Sequence, residues 1–208
     1  MFDFSRVGWP VPPDIAPLFT RTFEDIASVG DEWTGAERVA IAQVARAGRT
    51  ADDAGLLPNA AVDAAALIAK APHTVNESWA RGTMSALGDT RYVELIGITA
   101  ATHAIDTITG MLGCDIQALP EPKSGSAVPA ADNPRLKRRG AWVPMDGPPK
   151  PRFALSAAAG TQATVSRLVH RLYPSVEKGP NDGPVRGLTR EQIEIVALKV
   201  SHSNKCFW

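Results

Sequence analysis

Proline clustering constrains this chain more than any other sequence feature. Eight of the seventeen prolines lie between Pro120 and Pro151, among short runs of glycine, serine and alanine. Because proline lacks a backbone N–H and has a fixed φ, neither a helix nor a strand continues through such a density. Residues 120–152 are therefore predicted to form a linker, in which the apolar stretch 140–145 packs against a neighbouring domain.

On both sides of this linker the sequence is rich in alanine, and its apolar residues recur at spacings of three and four, which is typical of helices. No segment alternates with period two, so the predicted fold class is all-α. The predicted helices comprise one with Leu18, Phe19, Phe23 and Ile26 on a single face, then 36–47 capped by Thr34, 61–70, 75–87 ending at Gly88, 92–112 ending at Gly113, 154–173, and 189–201 capped by Thr189.

Composition narrows the classes of partner. The 22 basic and 22 acidic residues give no net charge, which argues against a nucleic-acid partner or a polybasic membrane anchor. No stretch approaches the ~20 apolar residues of a membrane span, and the start of the chain lacks the apolar segment of a secretion signal. We therefore expect a soluble, cytoplasmic protein with no nucleic-acid or membrane partner.

Cysteine and histidine usage is sparse. Cys114 and Cys206 are too few for a disulfide framework, and the four histidines share no metal-ligand spacing, so we expect no metal site. Cys114 follows the predicted helix end at Gly113 and is expected to be an ordinary structural or surface thiol.

The helix predicted over 189–201 carries the first candidate catalytic residue. Its apolar residues lie on two sides, Ile193, Val196, Ala197 and Val200 on one and Ile195 and Leu198 on the other, so we expect the helix to be enclosed on both flanks. Glu194 would then be partly buried, in a position where a carboxyl can carry protons near neutral pH. An exposed or salt-bridged surface glutamate is the alternative.

Cys206 is the second candidate, twelve residues after Glu194. On one unbroken helix the two would be about 18 Å apart, so they meet only if the chain turns. Residues 201–204 are predicted to form that turn, with Ser203 or Asn204 capping a new helix. A cysteine in the first turn of a helix is favoured as a reactive thiolate, and His202, four residues before Cys206, is a candidate supporting group.

These residues form part of a longer pattern over 188–206, L-T-R-E-Q-x-E-x-V-A-x-x-V-S-x-x-N-x-C. The pattern closely resembles the alkylhydroperoxidase AhpD / carboxymuconolactone decarboxylase family, whose peroxidase branch carries Glu-x11-Cys-x2-Cys-x3-His. Glu194 and Cys206 match its first two positions. The second cysteine and the histidine would fall at positions 209 and 213, so the chain is expected to be truncated within the motif.

The resemblance implies an AhpD-like helical bundle and an antioxidant hydroperoxide reductase that needs no metal or organic cofactor. Glu194 would relay protons, Cys206 would be the resolving cysteine, and a dithiol protein or small thiol would be the reductant. Residues 91–113 are similar to the family's helix after the Cys-x2-Cys helix. This similarity implies two copies of the domain, a degenerate first copy over 14–119 and the start of a second copy over 153–208. In the first copy, Ala40 occupies the position equivalent to Glu194.

Two other functions remain open. The same fold without redox activity would be a helical scaffold, and covering its open apolar face would make it a homo-oligomer. The decarboxylase branch works on a lactone acid without cysteines. Cys206 argues against that branch, and the sequence shows no evident Arg/His cluster for a substrate carboxylate.

Overall fold

The computed structural model describes residues 2–48, 55–129, 133–173 and 188–203. Within these ranges the backbone forms no β-strand, which confirms the all-α class for the part of the chain described. The helices are α1 (Ile15–Ile26), α2 (Gly35–Ala47), α3 (Asn59–Lys70), α4 (Glu77–Leu87), α5 (Asp89–Met111), α6 (Ala159–Leu172) and α7 (Arg190–Ser203). The AhpD-like arrangement of the bundle stays a prediction.

Local sequence signals set most helix ends. The Thr34 hydroxyl accepts a hydrogen bond from the Glu37 N–H (3.3 Å), and the Glu37 carboxylate accepts one from the Thr34 N–H (2.8 Å). This reciprocal capping box confirms Thr34 as the cap of α2. Gly88 follows α4 with φ 88°, a left-handed conformation that favours glycine, so the predicted end of this helix is also confirmed.

The prediction for α6 was wrong at its start, because residues 154–158 form turns before the helix begins at Ala159. The Ser156 hydroxyl donates to the Phe153 carbonyl (2.6 Å) and accepts from the Asp146 N–H (2.8 Å). Serine side chains that bond nearby backbone in this way compete with helix formation. The helix therefore starts five residues later than the apolar pattern indicates.

The core is built around α5, which packs against α1, α2, α3 and α4. Burial of apolar side chains between these helices is the main favourable contribution to the stability of the bundle. The largest side chains that are almost fully buried include Phe19, Phe23, Ile26, Trp33, Ile41, Val44, Val93, Leu95, Ile98 and Ile105.

Contacts divide the chain into two units, Met1–Leu168 and Val169–Trp208. The first unit includes the linker, where Val143 packs against Val93 and Ala158 and where Met145 is buried. Docking is thus confirmed for residues 143–145, whereas Gly140 and Trp142 are exposed. The division into a degenerate copy, a linker and a second copy stays a prediction, because contacts report packing and not ancestry. No helix in the described ranges is both long and apolar enough to cross a membrane.

Candidate functional site

Glu194 lies in the second turn of α7 and is exposed. The start of this helix is fixed as predicted, since the Thr189 hydroxyl accepts from the Gln192 N–H (3.3 Å) and the Gln192 amide oxygen accepts from the Thr189 N–H (2.9 Å). The expected enclosure of α7 was wrong, because Ile195 is 65% and Leu198 67% exposed. An apolar pattern indicates which side chains favour burial, but not which surface covers them.

The other predicted residues lie at or beyond the end of α7. The turn expected over 201–204 was wrong for residues 201–203, which continue the helix to Ser203. His202 is exposed in its last turn, where a C-terminal histidine suits the helix dipole. Cys206 lies outside the described residues, so its relation to Glu194 and His202 stays a prediction. Cys114 is a partly exposed free thiol in the loop after α5.

The first unit contains a buried ion pair between two residues that were not among the candidates from the sequence. Arg38 of α2 binds Glu94 of α5, and their side chains are only 4% and 0% exposed. Arg38 also donates to the carbonyls of Ile26 (3.0 Å) and Asp25 (3.3 Å) and to the Thr161 hydroxyl (3.3 Å). One guanidinium therefore connects four helices, α1, α2, α5 and α6.

The second oxygen of Glu94 is also bonded. It accepts from the backbone N–H of Glu32 (2.8 Å), in the loop that joins α1 to α2. Trp33 in the same loop is fully buried, donates its indole N–H to the Arg91 carbonyl (3.0 Å) and stacks against the Arg91 guanidinium. Bonds at both carboxylate oxygens, together with a buried aromatic anchor, fix this loop over the ion pair.

Burial decides the protonation behaviour of Arg38. It lowers the pKa of Arg38 to about 10, although the negative charges of Asp31 and Asp25 act in the opposite direction. Arg38 therefore remains a cation near neutral pH, in direct contact with the Glu94 carboxyl group.

A cavity of about 660 Å³ lies beside the ion pair. Its volume falls within the range of small-molecule sites. Its walls come from α1, the loop after it, α2, α6 and part of the linker, and the lining residues are Asp25, Ser28, Val29, Gly30, Asp31, Arg38, Val128, Pro129, Gly160, Thr161, Thr164 and Arg167.

The cavity holds a second arginine, Arg167, which binds Asp25. The hydroxyl of Thr164 donates to the same carboxylate (3.2 Å), and Asp31 accepts from the Gly160 N–H (3.3 Å). Arg38 and Arg167 thus line one cavity, although the sequence shows no evident Arg/His cluster for a substrate carboxylate. Each already binds a carboxylate, Arg38 that of Glu94 and Arg167 that of Asp25, while the buried Nε of Arg167 has no hydrogen-bond partner among the described residues.

A sequence signal for the buried pair does exist. Glu94 occupies the helical stripe that continues with Ile98, Ala101 and Ile105, all of them buried. A carboxyl group in such a stripe either pairs with a buried cation or stays protonated, so it points to a buried partner. Arg38 begins an equivalent stripe in α2 with Ile41, Ala42 and Ala45.

Comparisons with known proteins add no identity: no family model, no curated protein and no solved structure matches this chain. Within the described ranges, no group of three or more His, Cys, Asp or Glu side chains is placed to hold a metal ion.

Proposed function

We propose that this chain carries part of a thiol-dependent hydroperoxide reductase site, with Glu194 as proton relay and Cys206 as resolving cysteine. The observation that carries the proposal is the spacing of these two residues in the pattern over 188–206. The spacing matches the first two positions of the motif that the AhpD-like peroxidases use.

The chemistry needs two thiols and one hydroperoxide. The thiolate of the motif's second cysteine, at position 209, attacks the peroxide oxygen, so that the O–O bond breaks, an alkoxide leaves and a sulfenic acid forms. Glu194 supplies the proton that the leaving alkoxide requires. Cys206 then displaces water from the sulfenic acid to give a disulfide, which an external dithiol reduces by thiol–disulfide exchange.

Glu194 lies in the second turn of α7, whose start the Thr189–Gln192 cap fixes, and its side chain is exposed. The proposal therefore rests on its spacing from Cys206 and not on burial. The helix ends at Ser203, three residues before Cys206. A chain reversal after Ser203 is what the proposal requires to bring the thiol back toward the carboxylate.

The test is hydroperoxide consumption with a dithiol reductant, using the chain continued by the motif, with a cysteine at position 209 and a histidine at position 213. We expect turnover that Cys206→Ser abolishes and that Glu194→Gln slows by about 10²-fold or more, the range for loss of a general acid or base. Cys114→Ser is the matched control and should leave the rate unchanged.

Two results would contradict the proposal. One is the absence of turnover in a folded, continued chain, and the other is turnover that Cys206→Ser leaves intact. Equal slowing by Cys114→Ser would show that the assay reports general thiol chemistry and not this site.

A second candidate is a catalytically inactive helical scaffold that assembles into homo-oligomers. It is favoured by the exposure of four large apolar side chains on α7: Ile195, Val196, Leu198 and Val200. Such a surface typically binds another protein surface. Sedimentation velocity of the chain and of its Ile195→Glu/Leu198→Glu variant tests this second candidate. A scaffold assembled through α7 would be oligomeric in the parent and dissociated in the variant, and neither protein would turn over hydroperoxide.

A further inference from the structure

Positive charge is concentrated in one short part of this neutral chain. Residues 133–153 contain six of the 22 basic residues and only one of the 22 acidic residues, Asp146. The remainder therefore carries 16 basic and 21 acidic residues. A net charge of zero conceals two regions of opposite sign.

Two of the six cations are neutralised by carboxylates. Arg135 binds Asp146 (2.8 Å) and Arg138 binds Asp89 (2.5 Å). The other four, Lys137, Arg139, Lys150 and Arg152, are exposed and have no carboxylate partner among the described residues. We refer to these four residues as the basic patch.

Local packing holds the basic patch on one fold of the chain. Lys137 pairs with Met145 in an antiparallel bridge. Arg139 then donates to the Gly147 carbonyl (3.0 Å), and Gly147 packs against the ring of Phe153.

The remaining two cations lie at the same place. Arg152 stacks on the Phe153 ring, with its guanidinium carbon 4.6 Å from the ring centre. The Phe153 N–H donates to the Lys150 carbonyl (2.9 Å), and this hydrogen bond closes the turn that begins at Lys150. These contacts bring the segments that carry the basic patch together around Gly147 and Phe153.

A large aromatic side chain accompanies the basic patch. Trp142, 40% exposed, lies at the tip of the same loop, and its carbonyl accepts from Arg138 (3.2 Å). Tryptophan and arginine are the side chains most enriched among the residues that dominate protein–protein binding energy.

We propose that the basic patch, together with Trp142, is a docking surface for an acidic face of a partner protein. A compact acidic face matches the patch in extent, whereas a long nucleic-acid strand would continue over the acidic remainder of the chain. At physiological salt, charges act over about 8 Å, so the local sign decides which surface is attracted. This inference is independent of the thiol chemistry, because none of its residues belongs to α7.

The experiment measures fluorescence anisotropy of a short fluorescein-labelled oligoglutamate peptide, with an oligothymidylate of equal length as the second probe. The patch variant is Lys137→Glu/Lys150→Glu. The matched control is Arg6→Glu/Arg21→Glu, which changes the net charge equally at two exposed positions in the N-terminal part of the chain. Thermal unfolding verifies that both variants are folded.

We expect the parent chain to bind the peptide more tightly than the oligothymidylate, with an affinity that falls as salt rises. The patch variant should lose about tenfold or more in affinity and the control about twofold or less. Equal losses in the two variants, tighter binding of the oligothymidylate, or no peptide binding by the parent at low salt would each overturn the proposal.

Discussion

Arg38 of α2 and Glu94 of α5 form an ion pair inside the core, 56 residues apart in the sequence and almost fully removed from solvent. Each charge depends on the other, because an unpaired charge in such a place is strongly destabilising. The pair also determines where the loop between α1 and α2 lies, since the Glu32 N–H donates to the same carboxylate.

Removing one partner should be costly. Glu94→Leu leaves the Arg38 guanidinium buried without its counter-charge, and we expect a loss of about 3–5 kcal/mol in the free energy of unfolding. Urea denaturation measures it. Glu77→Ala is the control, because its pair with Arg81 is exposed and should contribute about 1 kcal/mol or less. Equal losses in the two variants would show that Arg38 does not depend on Glu94.

Removing both charges should restore much of the loss. In Arg38→Met/Glu94→Leu no lone charge remains, and apolar replacements of buried ion pairs are often neutral or stabilising. We expect the double variant to be more stable than Glu94→Leu alone in the same urea titration. A double variant as unstable as the sum of both single variants would contradict this coupling.

Gly30 should not tolerate a side chain. A methyl group there would overlap the carboxylate of Glu94 and the guanidinium of Arg38. We expect Gly30→Ala to destabilise the chain by about 1–3 kcal/mol, as for other overpacked sites. Gly82→Ala, in the exposed interior of α4 with no neighbour near the added methyl, should instead stabilise by about 0.5–1 kcal/mol. In thermal unfolding, the midpoint temperature should fall for Gly30→Ala and rise for Gly82→Ala. A change in the same direction for both variants would exclude this steric account.

Because Tyr92 is buried, the free energy of unfolding should decrease at alkaline pH. Burial raises the pKa of Tyr92 above its usual value of 10.0, so the folded chain keeps a proton that the unfolded chain loses. Because the unfolded chain then binds fewer protons, stability contributed by this group is present below pH 10.0 and decreases as the pH rises beyond it. Absorbance titration near 295 nm, compared between the parent and Tyr92→Phe, should assign the later phenolate transition to Tyr92. A Tyr92 transition at or below its usual value would contradict this.

The cap of α2 gives a smaller and more local effect. Thr34→Ala removes the hydroxyl that accepts from the Glu37 N–H, and we expect a loss of about 1 kcal/mol in the free energy of unfolding. Thr34→Ser keeps the hydroxyl and should restore most of it. If both variants lost the same amount, the methyl group of Thr34, and not its cap, would be the stabilising feature.

The predictable parts of this fold are the ones governed by local chemistry. Each of these signals, such as the capping residues Thr34 and Thr189, the glycine after α4 and the helical periods, depends only on residues a few positions away in the sequence. The start of α6 was missed, because the Ser156 hydroxyl bonds a residue ten positions earlier, and no helical period reports such a bond.

The site was harder to predict because its members are distant in sequence. Arg38, Glu94 and Thr161 come from three helices, and only their packing places one guanidinium against both partners. For Glu194 the sequence left a partly buried and an exposed position open, because the stripe of α7 carries no information about the surface that would cover it, and the structure shows the exposed one. Glu194 and Cys206 remain linked by the family resemblance and their spacing.

The most direct test of the thiol chemistry is the redox state of Cys206, read by mass spectrometry after one equivalent of hydroperoxide is added to the reduced chain continued through positions 209 and 213. We predict that the peptide containing Cys206 is recovered as a disulfide with the cysteine at position 209, while Cys114 remains fully alkylated. A Cys206 thiol that alkylates as completely with hydroperoxide as without it would contradict the account.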